Sequence, residues 1–150
     1  MEICKASIDD LQTLIPLFDG YRQFYKQPTD PHGAGRFLQE RLARQDSIIF
    51  LAKDSRGNGL GFTQLYPSFS SVSMQRTYIL NDLFVSGNDR GMGVATALMN
   101  HAKEFAIEEG AKGLTLETAI DNPAQKLYER LDWKKDVEVF HYTWTAPIAQ

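Results

Sequence analysis

The stretch Asn88-Asp89-Arg90-Gly91-Met92-Gly93-Val94-Ala95-Thr96 decides the fold. It follows an apolar strand pattern, Arg76 to Val85, and opens the best amphipathic helix pattern in the chain, Val94 to Glu109. Val94, Leu98, Ala102 and Phe105 stripe that helix, and Gly110 closes it. Backbone N–H groups are free at a helix start, and the helix dipole favours negative charge there. Glycines at 91 and 93, with Ala95, keep side chains away, so an anion can approach the backbone closely.

Working outward, Glu2 to Ala6 reads as a short strand, and Ser7 as an N-cap with Asp9 and Asp10 in the first turn. Leu11, Leu14, Ile15, Phe18, Tyr21, Phe24 and Tyr25 recur at spacings of three and four, which predicts helix over 8–26. Pro16 and Gly20 inside it predict a kink or a break. The breaker Gln27-Pro28-Thr29-Asp30-Pro31 ends it, and a second helix is expected from Gly33 to Ala43. Ser47 to Lys53 and Leu60 to Tyr66 read as a hairpin across the turn Asp54–Gly59. Four serines between Ser68 and Ser73 suggest a flexible surface loop. After the central helix, Gly113 to Ile120 alternates as a strand. Asn122, Pro123 and Gln125 start a further helix with a cap, a first-turn proline and a capping box, and Ala124, Leu127, Tyr128 and Leu131 form its inner face. Trp133 to Lys135 and Val137 to Trp144 read as one or two closing strands. The expected order is β-α-α-β-β-β-α-β-α-β-β: an α/β fold with a mixed sheet and helices on its faces, formed as a single domain over 1–150.

A chain of 150 residues can bury roughly 70% of its unfolded surface without disulfides. Cys4 is the only cysteine, so there is no disulfide framework and no cysteine zinc site. His32, His101 and His141 are scattered without ligand spacing, so no metal is expected. A net charge of -3 argues against nucleic acid, which calls for a basic face. The N-terminus lacks the apolar run of a signal peptide, and no stretch is long enough to span a membrane. A cytoplasmic protein with no membrane partner is the expectation.

Three anion-binding motifs compete for 88–96. A P-loop needs a lysine after its second glycine, and none stands nearby. A dinucleotide fingerprint needs glycine or alanine at position 96, which is threonine, and an early βαβ unit, whereas this turn lies past the midpoint. The third fits. Arg90-x-x-Gly93-x-Ala95 after a strand ending Asp82-Leu83-Phe84-Val85, followed later by Asn122 and Leu127-Tyr128-Glu129-Arg130-Leu131-Asp132-Trp133, resembles the two signature blocks of the GNAT family of N-acetyltransferases. Asp132 stands where the family usually has glycine, a departure expected to affect only turn geometry. The resemblance is sharpest over 76–135.

The resemblance implies the acyl-CoA N-acyltransferase fold, in which the fourth and fifth strands splay apart and acyl-CoA enters the gap. Carried over by position, the backbone of Arg90, Gly91, Met92, Gly93, Val94, Ala95 and Thr96 would hold the pyrophosphate of acetyl-CoA. Leu83, Phe84 and Val85 would pair with the pantetheine arm, and Asn122 would contact the cofactor. The segment Leu80 to Val85 is also similar to the strand of the diamine acetyltransferases, which places Asn81 and Asp82 near the acceptor amine. The family's first two helices wall that site, which brings Tyr21, Tyr25 and the 27–32 loop to it. A homodimer is a family-level expectation.

The implied reaction is attack of a primary amine on the thioester of acetyl-CoA within a ternary complex. An alkyl amine with a pKa of ~10.4 is free base only about once in a few thousand molecules at pH 7. A nearby carboxylate therefore helps, by attracting the cation and relaying its proton. Asp82 is the first candidate and Glu117 the second. Periodicity alone makes Tyr128 a packed inner-face residue; the family resemblance makes it the candidate acid for the departing thiolate. The acidic balance and the Asn81-Asp82 pair favour a small cationic acceptor. Two alternatives stand beside this reading: a peptide or protein amine as acceptor, and a non-catalytic acyl-CoA-binding or sensing module.

Overall fold

A computed structural model describes residues 1–148, which form two compact units, Met1–Glu117 and the segment from Thr118 on. The first unit holds strands β1 (Glu2–Lys5), β2 (Ile48–Lys53), β3 (Gly59–Ser70), β4 (Gln75–Val85) and β5 (Leu114–Thr115), and helices α1 (Leu11–Phe24), α2 (Pro31–Arg44) and α3 (Val94–Glu108). The second holds α4 (Gln125–Arg130). The strands lie in the order β1-β2-β3-β4-β5. The first four are antiparallel, and β5 runs parallel to β4, so the sheet is mixed as expected.

Helices cover both faces of this sheet. Leu14, Leu17 and Phe18 of α1 and Ala34 and Leu38 of α2 close over Ile49, Leu51 and Phe62. On the opposite face Phe105 of α3 meets Phe50 and Tyr78 edge-on, at 5.4 and 5.1 Å between centroids. Ser7 caps the start as predicted, with a capping box to Asp10 around a single 3-10 turn, Ile8–Asp10.

Of the kink or break expected at Pro16 and Gly20, no break occurs: α1 runs through both. A mid-helix proline costs ~3 kcal/mol, while burying a single leucine or phenylalanine contributes about 1.5–3 kcal/mol. Leu14, Leu17 and Phe18, buried on both sides of Pro16, outweigh it. Gly20 serves packing, since a Cβ there would lie 2.9 Å from the Phe84 ring. Helix α2 begins two residues earlier than read, because Asp30 accepts from the Gly33 N–H and Pro31 takes the first turn.

Three further readings need correction. Ser68 to Ser73 is not a loop: β3 continues to Ser70, paired with Gln75, and only 71–74 turn. Arg76 lies 4.5 Å over the Phe69 ring and ties this extension across the strands. The strand read over Gly113 to Ile120 shrinks to Leu114–Thr115, pairing only with Tyr78 and Ile79. Two residues further along β4 a bulge at Asn81 bends the strand, and the parallel ladder stops short of it. The closing strands read at Trp133–Lys135 and Val137–Trp144 do not form within the described residues. Alternation gave those residues strand propensity, but Val137, Phe140, Tyr142 and Trp144 are all exposed, so no buried face fixes a register.

Gly61 leaves no room for a side chain, since a Cβ there would stand 2.6 Å from the Phe84 carbonyl oxygen and 3.2 Å from the Val85 Cα. Gly61→Ala must push β3 away from the end of β4, and it should cost about 1–3 kcal/mol. Urea unfolding followed by circular dichroism checks this; an unchanged midpoint would contradict the packing described.

Candidate active site

The chemistry-bearing part of β4 begins with its bulge. Gln64 pairs with Asp82 and Leu65 with Leu80, so Asn81 is the extra residue. In a regular strand Tyr78, Leu80, Asp82 and Phe84 would share one face. Here Tyr78 packs on α3, while Phe84 packs on the α1 side against Gly20 and the core of Leu17 and Phe62. The inserted residue thus turns Asp82 toward α1 and leaves the Asn81 side chain exposed.

Asp82 is 2% exposed. Its Oδ1 accepts from the Asn81 amide at 2.8 Å, and its Oδ2 accepts from the Gln64 amide at 2.6 Å. The Tyr21 hydroxyl from α1 lies between the Asn81 carbonyl, 3.2 Å away, and the Asp82 carboxylate. Burial pushes the Asp82 carboxyl above its ordinary range, and the bonds from Asn81, Gln64 and Tyr21 pull it part of the way back. Burial also raises Tyr21, and raises the half-buried Tyr66 to about 12, with the Asp82 charge adding to both. Among the described residues no ammonium or guanidinium is hydrogen-bonded to Asp82. A buried carboxylate held by two amides and one phenol, with no cation, is an incomplete pair.

Around Tyr21 the α1 wall is aromatic. Tyr25 meets it edge-on at 5.2 Å, and Phe24 meets Tyr25 at 5.3 Å. The following loop is fastened from below. Buried Asp19 accepts from Thr29 Oγ1 at 2.6 Å, the Asp30 N–H at 2.8 Å and Gln23 at 3.1 Å, and the Thr29 and Asp30 bonds, with Gln23, hold its carboxyl below the usual range. This clasp is not legible in the sequence, because Asp19 sits at an ordinary polar helix position.

Directly after Asp82, Leu83, Phe84 and Val85 lead through Ser86 and a 3-10 turn, Gly87–Asp89, to the glycine turn. Gly91 and Gly93 both have φ of +79°, where a side chain strains the backbone, and neither would place a Cβ within 4 Å of another atom. Gly93 is the N-cap of the 15-residue α3, with no side-chain cap and no acid in the first turn. The N–H groups of Val94, Ala95 and Thr96 therefore start a long helix uncapped by any side chain, which suits a phosphate. The Arg90 side chain folds back, its Nε donating to the Val85 carbonyl at 3.2 Å and its guanidinium 5.7 Å from the Phe84 ring centroid. Met92 is exposed. Glu117 follows β5 in irregular chain.

In the second unit Asn122 Oδ1 accepts from the Ala124 N–H at 2.9 Å in an Asx turn ahead of α4, whose N-cap is Ala124, so the helix start read at Asn122 and Pro123 moves on to Gln125. The expected capping box does not form: Asn122 bonds the Ala124 N–H, and the Gln125 side chain donates to the Ile120 carbonyl at 2.6 Å. Half-buried Tyr128 sits mid-α4, its ring 6.5 Å from Trp133, and its carbonyl accepts from the Trp133 N–H. That return is made by Asp132 at φ +66°, a left-handed position that glycine would fill without strain.

Comparison with known proteins is consistent with these blocks. The family model described as acetyltransferase (GNAT) family matches residues 14–133. The chain is 45% identical over 148 residues to the uncharacterized N-acetyltransferase YhfO of Bacillus subtilis, covering 98% of this chain and 99% of that protein. It is 31% identical over 141 residues to a probable acetyltransferase of Haemophilus influenzae, covering 86% and 97%. The crystal structure of a probable acetyltransferase superposes with a TM-score of 0.91 at 42% identity, covering 100% of this chain and 99% of that one.

The glycine turn gives a direct test. Gly93→Asp puts a strained, negatively charged side chain at the α3 N-terminus, where a carboxylate about 4 Å from a phosphate charge costs roughly 1–4 kcal/mol. Calorimetric titration with CoA should show affinity at least about tenfold weaker, with the circular dichroism spectrum retained. Unaltered affinity would remove the turn from the phosphate site.

Proposed function

This chain belongs to the acetyltransferase (GNAT) family and is an acetyltransferase of the acyltransferase class, and from that premise we propose that it moves the acetyl group of acetyl-CoA onto the primary amine of a small cationic molecule. The buried, cation-free Asp82 carboxylate carries the acceptor half of this reading. An ammonium ion arriving beside it completes the pair and is then poised to lose its proton. The uncapped glycine turn and α3 N-terminus support the donor half as a seat for the CoA pyrophosphate. The family match runs across both compact units, which supports reading the chain as one domain.

In this mechanism Asp82, directly or through water, takes the proton of the bound ammonium. The freed nitrogen lone pair attacks the thioester carbonyl carbon, and the carbonyl π electrons move to oxygen. Collapse of that oxyanion re-forms the carbonyl and breaks the C–S bond, whose electrons leave on sulfur. A proton donated by Tyr128 yields the CoA thiol; a tyrosine with a reference pKa near ~10 holds that proton at neutral pH. The nitrogen's second proton passes to water as the neutral amide forms; Asp82 gives its proton to solvent and Tyr128 regains one, so the cycle releases one net proton. Tyr128 enters through its place in the Asn122–Trp133 block. Asn81 and Tyr25, with Glu117 as a second carboxylate, are read as the acceptor's surroundings, and Leu83 to Val85 with Asn122 as the pantetheine and cofactor contacts.

Ordering and deprotonating an alkyl amine at pH 7 is worth roughly 4–5 kcal/mol, so the carboxylate should show in the kinetics. Thiol release from acetyl-CoA with a panel of small amines and a lysine peptide should be fastest for the small cationic amines. Tyr128→Phe should lower kcat by at least about tenfold and leave CoA affinity unchanged. Tight CoA binding with no turnover of any amine would contradict the enzyme reading in favour of a sensing module, and an unchanged kcat would remove Tyr128 from the mechanism.

A further inference from the structure

Three polar side chains stand in a line through the first unit where apolar packing would be simplest. Gln64 is fully buried in the middle of β3, between Ile49 of β2 and Asp82 of β4. A buried primary amide is costly unless both of its ends are bonded. Both are: the Ser47 hydroxyl lies 2.8 Å from Gln64 Oε1, and Gln64 Nε2 lies 2.6 Å from Asp82 Oδ2. Nothing in the fold requires this chain, since leucine or methionine would fill the same space between two strands.

We infer that Gln64, oriented by Ser47, is a positioning residue for the transfer reaction, holding the Asp82 carboxylate ionised and aimed toward α1. The inference rests on the reading of Asp82 as the acceptor-side carboxylate. Its logic is the polarity of the amide. With Ser47 donating to Oε1, the NH2 end of Gln64 faces Asp82, which suits a carboxylate. With the amide reversed, two oxygens would face each other at 2.6 Å, which Asp82 tolerates only when protonated. Orientation of Gln64 and ionisation of Asp82 are therefore one equilibrium. The other groups facing Asp82 are Tyr21 from α1, Asn81 beside it on β4, and Tyr66 further along β3. Arg41 of α2 and Asp46 act on Tyr66, one step further out. The pull on Asp82 toward the ionised form comes from Asn81, Gln64 and Tyr21, and burial opposes it.

The sign follows directly. A base must be ionised to act, so kcat/KM rises with pH through the Asp82 pKa. Removing a donor to the carboxylate raises that pKa, and the acidic limb moves to higher pH. Gln64→Leu keeps the volume and removes the donor; Gln64→Glu adds a second carboxylate that must share a proton; Ser47→Ala leaves the amide free to reverse. Two readouts are made on each folded variant: the Asp82 side-chain carbon titrated by NMR without ligand, and the pH profile of kcat/KM with the amine acetylated fastest in the thiol-release panel. We expect upward shifts of roughly one pH unit for Gln64→Leu, more for Gln64→Glu and less for Ser47→Ala, while a merely structural role would lower activity at all pH values alike. Asp82→Asn should abolish the limb. If Gln64→Leu fails to fold, Ser47→Ala at the chain's outer end carries the same test. Loss of the limb in Asp82→Asn with unmoved titrations in the Gln64 and Ser47 variants overturns this inference alone. A limb that survives in Asp82→Asn overturns the role of Asp82 and this inference with it.

Discussion

One inserted residue in β4 sets the geometry on which the first unit's chemistry depends. Without the bulge at Asn81, Asp82 would follow Tyr78 and Leu80 onto the α3 face, among Phe50, Phe105 and Leu98, as a charge in an apolar layer. With it, Asp82 and Phe84 turn to α1, where Tyr21 and Gln64 supply donors. The same bend lies two residues beyond the last β4–β5 pairing, Ile79 with Thr115. A local backbone irregularity thus re-aims a carboxylate and ends a ladder at once, both common effects of bulges.

Two features of opposite electrostatic character stand close together at and beyond the C-terminal end of β4, and the proposed acyl transfer uses both. At Asp82 the protein holds an uncompensated negative group, which in a low-dielectric site attracts a cation. At Gly91–Thr96 it presents backbone N–H groups and the positive end of a 15-residue helix, which suit an anion. The intervening residues, Leu83 to Val85, are apolar and flanked on the α1 side by packed aromatic rings. From Asp82 the strand runs only to Val85, roughly 3.3 Å per residue, before the 3-10 turn leads on to the glycine turn.

Much of this was legible in the sequence, for identifiable reasons. The glycine turn could be read because positive φ and an uncapped helix start need glycine at 91 and 93, and the order of elements followed from periodicity. Ser7 announces a helix start through its capping chemistry, whereas Asp30, which caps α2, reads in sequence as part of a breaker. The bulge could not be read: Asn81 is polar in a strand that otherwise alternates plausibly, and only the pairing of Gln64 with Asp82 reveals it. Gln64 and Ser47 were missed for the same reason, since their significance lies in a contact across two strands. The unbroken helix at Pro16, the strand at Ser68–Ser70 and the missing closing strands share a cause: local propensity is outweighed by core burial, by a cross-strand Arg76–Phe69 contact and by the lack of a buried face, respectively.

The central claim is that Asp82 is an unpaired buried carboxylate whose natural counter-ion is the acceptor's ammonium. Its most direct test is calorimetric titration of a small primary alkylamine into the protein saturated with CoA, where no acetyl group is available and binding is read without reaction. The account predicts that Asp82→Asn weakens amine binding at pH 7.5 by about tenfold or more, as expected for loss of a charged hydrogen bond, with CoA affinity unchanged. Equal amine affinity in the wild type and Asp82→Asn would contradict it.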